Sequence, residues 1–377
     1  MPGENKQRVL LLSDAGTSHT KNWAFALASS GMEVGIFSLL KSGSDIYEGS
    51  GIHMFEDAGI SKSTVGGNRL GKLSYLSAVS NLKKAISIFK PDVVHAHYAS
   101  SYGLLGSLSG FHPFILSVWG SDVYEFPESG FLAKQLLKYN LRKADVICST
   151  SHVMARQTKK YSDKPIEVVA FGIDTGIFKP QSVQSIFEKD SIVVGTVKKL
   201  SEKYGTRYLI EAFKIVHDKF PDLPLRLLLV GDGAQREELE SLVKNLGLDS
   251  VTKFTGNVSH RDVPLYHNMI DIPVYVSVFD SESFGVSVIE SGACGKAVVV
   301  SSVGGLTEVV KENSTGLVVP PRDATKTASA IEYLLTHPAE RNQMGEAARK
   351  HVQENYEMKN CTAAMLRIYQ RFNSAGK

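Results

Sequence analysis

The stretch that decides the fold is Phe279-Asp280-Ser281-Glu282-Ser283-Phe284-Gly285-Val286-Ser287-Val288-Ile289-Glu290-Ser291-Gly292-Ala293-Cys294-Gly295. An apolar run at 272–278 precedes it and predicts a strand that leads into a loop carrying Glu282. Phe284 and Gly285 open a predicted helix that ends near Cys294 and Gly295. The apolar run at 297–300 then predicts the next parallel strand.

Two carboxylates flank this helix start. Glu282 and Glu290 are eight positions apart, which in helical geometry is a little over two turns and about 12 Å of rise. That separation is too long for the two groups to share a proton, and it suits the two ends of one elongated ligand. The helix N-terminus between them favours a phosphate. A carboxylate, a phosphate site and a second carboxylate along one line would suit a ligand that consists of a sugar, a diphosphate and a ribose.

This stretch resembles the Glu-x7-Glu signature of the retaining glycosyltransferases of family four, which have the GT-B fold. The resemblance runs from about residue 9 to residue 335. It implies that Glu282 contacts the donor sugar, that Glu290 holds the ribose hydroxyls, and that Phe284, Gly285 and Val286 bind the donor. The simpler alternative is two solvated glutamates on a surface helix.

A second part of the resemblance follows the predicted strand at 192–197. Lys199 occupies the position of the family's diphosphate-binding Arg, and Lys203 matches its Lys, one residue early relative to Gly205. Two cations beside a helix N-terminus would neutralise a departing diphosphate. A solvated basic loop is the alternative. Val258 closes the segment 251–258, which resembles the part of the family whose backbone lies along the nucleobase.

The N-terminal half matches the family more loosely. The loop after the first strand keeps only Gly16 of a glycine-rich family loop, and His19 follows it within reach of a phosphate or sugar. An N-capping loop with an exposed His explains the same residues. At 119–122 the family's His-Gly-Ser-Asp is Trp119-Gly120-Ser121-Asp122, so Asp122 is the polar candidate here. Trp119 is either a platform for a sugar ring or an aromatic of the core.

Other motifs point away from bound metals and dinucleotides. His95 and His97 are two apart on a predicted strand and so share a face, but no nearby Cys, Asp or Glu completes a tetrahedral metal site. No Asp-x-Asp occurs anywhere in the chain. Gly231-Asp232-Gly233 begins a dinucleotide fingerprint, but Arg236 stands where its third Gly is required. We therefore expect no metal and no cofactor, only a nucleotide-diphosphate sugar, UDP- or GDP-linked, as donor substrate.

The predicted helix at 131–144 carries Lys134, Lys138 and Arg142 four apart, on one face, with Phe131 and its leucines placed on other faces. A basic amphipathic helix either lies on an anionic membrane or forms a solvated face over a core.

Composition sets the remaining limits. The chain has 377 residues, 43% of them apolar, which predicts two domains with full cores, and a net charge of +3, which indicates no nucleic-acid partner. Three scattered cysteines, a polar start and no long apolar run predict a cytoplasmic protein, with peripheral contact to the inner face of the membrane as a further option. The predicted domains are an acceptor-binding domain, residues 1–178, joined by a returning helix at about 356–377, and a nucleotide-sugar-binding domain, residues 179–355.

We therefore predict an α/β protein of the GT-B class, two Rossmann-like parallel-sheet domains facing across a cleft. Its predicted reaction is metal-independent glycosyl transfer with retention, from a nucleotide-diphosphate sugar to a hydroxyl of a glycan, glycolipid or small-molecule acceptor. Such a reaction belongs to cell-surface polysaccharide, lipopolysaccharide or glycolipid synthesis. A nucleotide-sugar epimerase and a non-catalytic nucleotide-sugar-binding protein remain as alternatives.

Overall fold

The computed structural model describes residues 6–40, 44–56 and 69–372. The chain divides into two compact units. Unit 1 comprises Met1–Phe171 and Lys359–Lys377, and unit 2 comprises Gly172–Met358. The division after Phe171 lies a few residues before the one expected from the sequence at 178, where the polar segment 179–189 suggested a linker.

Unit 1 is built on a parallel sheet of seven strands in the order β3-β2-β1-β4-β5-β6-β7. The strands are β1 Arg8–Leu12, β2 Glu33–Ser38, β3 His53–Glu56, β4 Val93–His97, β5 Phe114–Val118, β6 Val146–Ser149 and β7 Ile166–Val168. The helices are α1 Ser18–Ser29, α2 Arg69–Phe89, α3 Ser101–Ser109, α4 Ser121–Tyr124, α5 Phe131–Lys143 and α6 His152–Thr158. The central strands β1, β4 and β5 are buried along almost their whole length, as expected of parallel strands covered on both faces.

Unit 2 carries a parallel sheet of six strands in the order β10-β9-β8-β11-β12-β13. The strands are β8 Ile192–Val197, β9 Leu225–Val230, β10 Thr252–Gly256, β11 Ile272–Tyr275, β12 Val298–Ser301 and β13 Gly316–Val319. The helices are α7 Thr206–Lys219, α8 Arg236–Asn245, α9 Val263–Met269, α10 Val286–Ala293, α11 Leu306–Val309, α12 Ala324–Thr336 and α13 Pro338–Asn355. The predicted strand before Glu282 is three residues shorter than expected, and the predicted parallel pairing of β11 with β12 is confirmed.

The last helix, α14 Met358–Gln370, belongs almost entirely to unit 1. Tyr369 of α14 is completely buried, its hydroxyl lies 2.6 Å from Nδ1 of His95, and its carbonyl accepts from the Gln7 side chain at 2.9 Å. Unit 1 is therefore assembled from two separated segments of the chain.

Each sheet has one point at which the strand order reverses. In unit 1 it lies between β1 and β4, and in unit 2 between β8 and β11, where Val194 of β8 pairs with Leu227 on one side and Ile272 on the other. Open parallel sheets bind their ligands at such switch points.

Candidate functional site

At the switch point of unit 2, the loop after β8 is bonded to the loop after β11. The amide of Val278 donates to the carbonyl of Lys203 at 2.8 Å, and Nζ of Lys203 donates to the carbonyl of Ser281 at 2.7 Å. The two chain segments that carry the predicted lysines and Glu282 therefore form one connected structure.

An ion pair spans this switch point. Nζ of Lys198 lies 3.0 Å from Oε1 of Glu282, and their side chains are only 16% and 7% exposed. The ammonium also lies 4.5 Å from the ring centre of Tyr204, a cation–π contact. Burial alone would lower the pKa of Lys198, but Glu282, Tyr204 and Glu290 together outweigh it and raise that pKa above its usual value. Lys198 is therefore a fixed cation close to both glutamates.

Lys198 was not predicted from the sequence as a site residue. Lys199, which was predicted to bind the diphosphate, is exposed. Lys198 follows directly on β8, and its amide continues the sheet pairing by donating to Val230 at 2.9 Å. Because successive side chains of an extended chain point to opposite sides, only one of two neighbouring lysines can face the acidic loop.

Glycine holds the acidic loop in place. A Cβ on Gly304 would lie 2.1 Å from the carbonyl oxygen of Glu282, and Gly304 has a φ of +46°, which disfavours any side chain. The amide of Gly305 donates to the same carbonyl at 2.8 Å. The loop after β12 thus holds the backbone of the acidic loop by direct contact. Only glycine at positions 304 and 305 permits this close approach.

Helix α10 begins four residues after Glu282, at Val286, with Gly285 as its N-cap at φ 101° and no side-chain cap. The prediction of a helix from Phe284–Gly285 to Cys294 is confirmed to within two residues. The estimate of 12 Å of helical rise between the two glutamates was wrong, because Glu282 lies in the loop and not in the helix. Phe284 is buried and packs edge-on against Tyr356 at 5.6 Å, so its side chain belongs to the core.

Glu290 is anchored from behind by a buried polar network. Its Oε2 lies 3.2 Å from Nε2 of His267, whose Nδ1 lies 2.9 Å from the hydroxyl of Ser291. That hydroxyl also lies 2.8 Å from the hydroxyl of Tyr275, and burial, followed by Glu290, raises the pKa of this tyrosine. His267 comes from α9, and no sequence motif signals its contact with Glu290.

Val258 lies farther along the same edge of the sheet, in the loop after β10. It is partly buried and packs against an apolar cluster that includes Val197, Val230 and Ile270. In the sheet, β9 lies between β10, which Val258 follows, and β8, which leads into Lys198.

The switch point of unit 1 is aromatic. Ser13, after β1, lies 3.2 Å from Nδ1 of His97, at the end of β4. The ring of His97 stacks on Trp119 at 4.4 Å and 30°. His19 in turn stacks on Phe171 at 4.4 Å and meets the edge of Trp119 at 5.8 Å. Burial, followed by His95 and His19, holds the pKa of His97 well below 6.5, so this ring is neutral at pH 7.

Gly16 and Asp122 occupy different settings around this cluster. Gly16 is exposed in the loop after β1, where its amide donates to Asp14 at 3.0 Å. Asp122 is fully buried, and its carboxylate accepts from the amides of Ala99 at 2.6 Å and Gly120 at 2.7 Å. Burial raises the pKa of Asp122, and these amides counteract the rise. The Asp122 carboxylate therefore connects the loop after β4 to the loop after β5 by hydrogen bonds, and it is not exposed to solvent.

The rings of His95 and His97 share a face of β4, as predicted, with centres 4.6 Å apart. His95 is bonded on both nitrogens, to Tyr369 at 2.6 Å and to Ser117 at 2.8 Å. Over residues 6–40, 44–56 and 69–372, no three His, Cys, Asp or Glu side chains come together as a metal site. Within the same ranges no helix combines the length and the apolar character that a bilayer span requires.

Comparison with known proteins gives a consistent result for both units. The family model described as Glycosyl transferases group 1 matches residues 178–351, and the one described as Glycosyl transferase 4-like matches residues 8–151. A D-inositol 3-phosphate glycosyltransferase from Arthrobacter sp. (strain FB24) is 26% identical over 381 residues, which cover 90% of this chain and 86% of that protein.

Solved structures share the fold. Sucrose-phosphate synthase from Thermosynechococcus elongatus superposes with a TM-score of 0.82 at 21% identity, over 97% of this chain and 99% of that chain. Anabaena Alr3699/HepE, solved in complex with UDP-glucose, superposes with a TM-score of 0.76 at 18% identity, over 97% and 99% of the two chains. The solved structures show the GT-B fold of two Rossmann-like domains, and because a family model matches each of the two units, the chain belongs to the group 1 glycosyltransferases.

Proposed function

We propose that this protein transfers a sugar from a nucleotide-diphosphate sugar, UDP- or GDP-linked, to an acceptor hydroxyl, with retention of the anomeric configuration. The observation that carries the proposal is the Lys198–Glu282 ion pair at the switch point of unit 2. A buried carboxylate next to a fixed cation offers an acceptor for sugar hydroxyls beside a charge for a phosphate. The UDP-glucose complex of Anabaena Alr3699/HepE, a protein of the same fold, supports this donor class.

Each part of the donor has a proposed partner. Glu282 accepts hydrogen bonds from the sugar, and Glu290, oriented by His267, accepts from the ribose hydroxyls. The amides at the start of α10, at Gly285 and Val286, face the diphosphate together with Lys198 and Lys203. Lys198 takes the role that the sequence suggested for Lys199, because Lys198 contacts Glu282 whereas Lys199 is exposed.

The proposed step is a front-face displacement. The bond between the anomeric carbon and the diphosphate oxygen breaks, and the acceptor oxygen bonds to the same face of that carbon. The acceptor proton passes to the leaving diphosphate, so the products are a glycoside and a nucleoside diphosphate. The lysines stabilise the charge that develops on the leaving group, and we expect full activity in the presence of EDTA.

The acceptor and the location complete the proposal. We propose a glycan, glycolipid or small-molecule acceptor from polysaccharide, lipopolysaccharide or glycolipid synthesis. The three buried free cysteines, Cys148, Cys294 and Cys361, suit a reducing compartment such as the cytoplasm.

The first test is a thermal-shift panel of UDP, GDP, ADP and their common sugar conjugates. We expect one nucleotide to raise the Tm of the wild type and of the control Glu312→Ala, an exposed acid of unit 2, but not that of Glu290→Ala. A nucleotide that stabilises all three proteins equally would contradict the assignment of Glu290, and no stabilisation by any nucleotide would contradict the donor class.

Product analysis with the donor so identified separates the alternatives. Transfer gives a new glycoside plus free nucleotide, and the anomeric proton coupling of that glycoside reports retention or inversion. An epimerase would give an isomerised sugar nucleotide. It needs acid and base groups next to the sugar, and the side chains of His95 and His97 are already engaged by Tyr369, Ser117 and Ser13. Binding without any product would indicate the non-catalytic alternative.

A further inference from the structure

Positive charge is concentrated on one segment of unit 1. Residues 131–164 hold eight Lys and Arg and two Asp, a net charge of +6, whereas the rest of the chain has 34 Lys and Arg against 37 Asp and Glu. A chain of nearly balanced charge thus carries a strongly basic surface patch. Such patches attract anionic partners over distances of about a Debye length, roughly 8–10 Å at moderate salt.

These cations line a groove. It lies between α5 and the turn that follows α6, has a volume of about 510 Å³, and is lined by Lys138, Arg142, Lys159, Lys160 and Lys164, with Asp163 as its acid. Nζ of Lys164 donates to the carbonyl of Arg142 at 2.7 Å, and Nζ of Lys159 to the carbonyl of Lys164 at 2.9 Å. Carbonyl oxygens carry no net charge, so these bonds fix the ammonium groups without cancelling the charge of the groove.

An apolar tip adjoins the groove. Phe131 and Leu132, in the first turn of α5, are 73% and 81% exposed. The expectation that Phe131 lies on a different face from the basic residues was wrong. Phe131, Lys138 and Arg142 are spaced by seven and four positions and so share the solvent face of the helix. The side chains of α5 that pack inward are Leu137, Asn140 and Leu141.

We propose that this surface, Phe131 and Leu132 together with the groove cations, docks on a lipid bilayer that contains anionic headgroups. The two apolar side chains enter the interface, and Lys138, Arg142 and Lys160 meet the headgroups. A soluble polyanion would satisfy the cations and leave two large apolar side chains in water, whereas a bilayer stabilises both. The proposal goes beyond the donor chemistry proposed above and does not depend on it.

The test is vesicle flotation of the full chain, without nucleotide, at 0.1 M salt. The vesicles are phosphatidylcholine alone or with 30% phosphatidylglycerol. We expect binding to the mixed vesicles only. Lys138→Ala with Arg142→Ala should weaken the partition constant about thirtyfold, roughly fivefold for each charge. Phe131→Ala with Leu132→Ala should weaken it at least tenfold, because less apolar area is buried.

Matched controls come from α2, outside the groove. Lys83→Ala with Lys84→Ala removes the same charge from exposed positions, and Ile88→Ala removes another exposed apolar side chain. Both should bind like the wild type. Equal losses in the controls would overturn the proposal, as would absence of binding to the mixed vesicles. Titration of pyrophosphate provides a further outcome: tight binding that survives Phe131→Ala with Leu132→Ala, without vesicle binding, would show a site for soluble anions instead. Thermal shift with the donor nucleotide should be unchanged in every variant, so the two proposals fail separately.

Discussion

At the switch point of unit 2, Lys198 and Glu282 face each other as ions, whereas at the switch point of unit 1 Ser13 meets the neutral ring of His97. Each sheet is parallel and has one reversal of strand order, so the fold alone does not determine why one switch point is charged and the other is neutral. It depends on which side chains follow the strands. Fixed charges suit a ligand that carries charge, and neutral rings suit the face of a sugar or another ring.

The largest expected effect is at the ion pair. Lys198→Met should lower the transfer rate about a thousandfold, because the leaving diphosphate loses its fixed cation. It should also destabilise the protein by about 3–5 kcal/mol, since the Glu282 carboxylate is left buried without a partner. Steady-state kinetics and denaturant unfolding measure the two effects.

Lys199→Met is the matched control for this prediction, because it removes the same charge from an exposed neighbour. Its unfolding free energy should stay within about 0.5 kcal/mol of the wild type. The double variant Lys198→Met with Glu282→Gln should recover stability but not activity. Equal losses of activity in the two single variants would contradict the assignment of the diphosphate cation to Lys198 in preference to Lys199.

The next effect concerns the second carboxylate of unit 2. Glu290→Ala should raise the Kd of the nucleoside diphosphate about thirtyfold to a hundredfold, because a hydrogen-bonding carboxylate to the ribose is lost. Isothermal titration measures the change. His267→Gln should raise the Kd less, since glutamine can still donate to Glu290. A larger effect for His267→Gln than for Glu290→Ala would indicate a direct role for the histidine.

In unit 1, a buried histidine should make stability depend on pH. Burial lowers the pKa of His95 to about 3 from an ordinary value of 6.5. Between these values the unfolded chain binds more protons than the folded one, so the free energy of unfolding falls as the pH falls from 6.5 toward 3. One such group contributes at most about 1.4 kcal/mol per pH unit.

His95→Gln should therefore flatten this slope between pH 6.5 and 5, as measured by urea unfolding at several pH values. His152→Gln replaces an exposed histidine of the same unit and serves as the matched control. An unchanged slope in His95→Gln would show that the ring is not the group that resists protonation.

The smallest effect is expected at the aromatic switch point. Trp119→Ala should raise the KM for the acceptor about tenfold and leave the thermal shift with the donor nucleotide unchanged, because a ring face contributes about 0.5–1.5 kcal/mol. Trp119→Phe keeps an aromatic face and should lose less. A loss of nucleotide binding in either variant would contradict the proposal that the donor binds at the charged switch point of unit 2 and the acceptor at the aromatic switch point of unit 1.

The sequence predicted the architecture, and it predicted that Glu282 lies in a loop and Glu290 in the helix that follows, because these features depend on local patterns. Apolar runs identify the strands, and the spacing of Glu282 from Glu290 is a motif in one continuous stretch. The choice between Lys198 and Lys199 depends on the residue at which β8 ends, and a shift of one residue reverses which side chain faces the loop. His267 reaches Glu290 only through tertiary packing of α9 on α10, which no local pattern encodes.

The burial of Tyr369 against His95 also bears on the order in which the protein is made. A ribosome releases all of unit 2 as one continuous segment before α14 emerges, whereas unit 1 is begun first and receives its last element at the end. During translation unit 2 can therefore fold first. Unit 1 stays incomplete at that stage, because His95 lacks its hydrogen-bond partner Tyr369. A truncated chain that ends at Met358 should resist protease across unit 2 and be cut in unit 1.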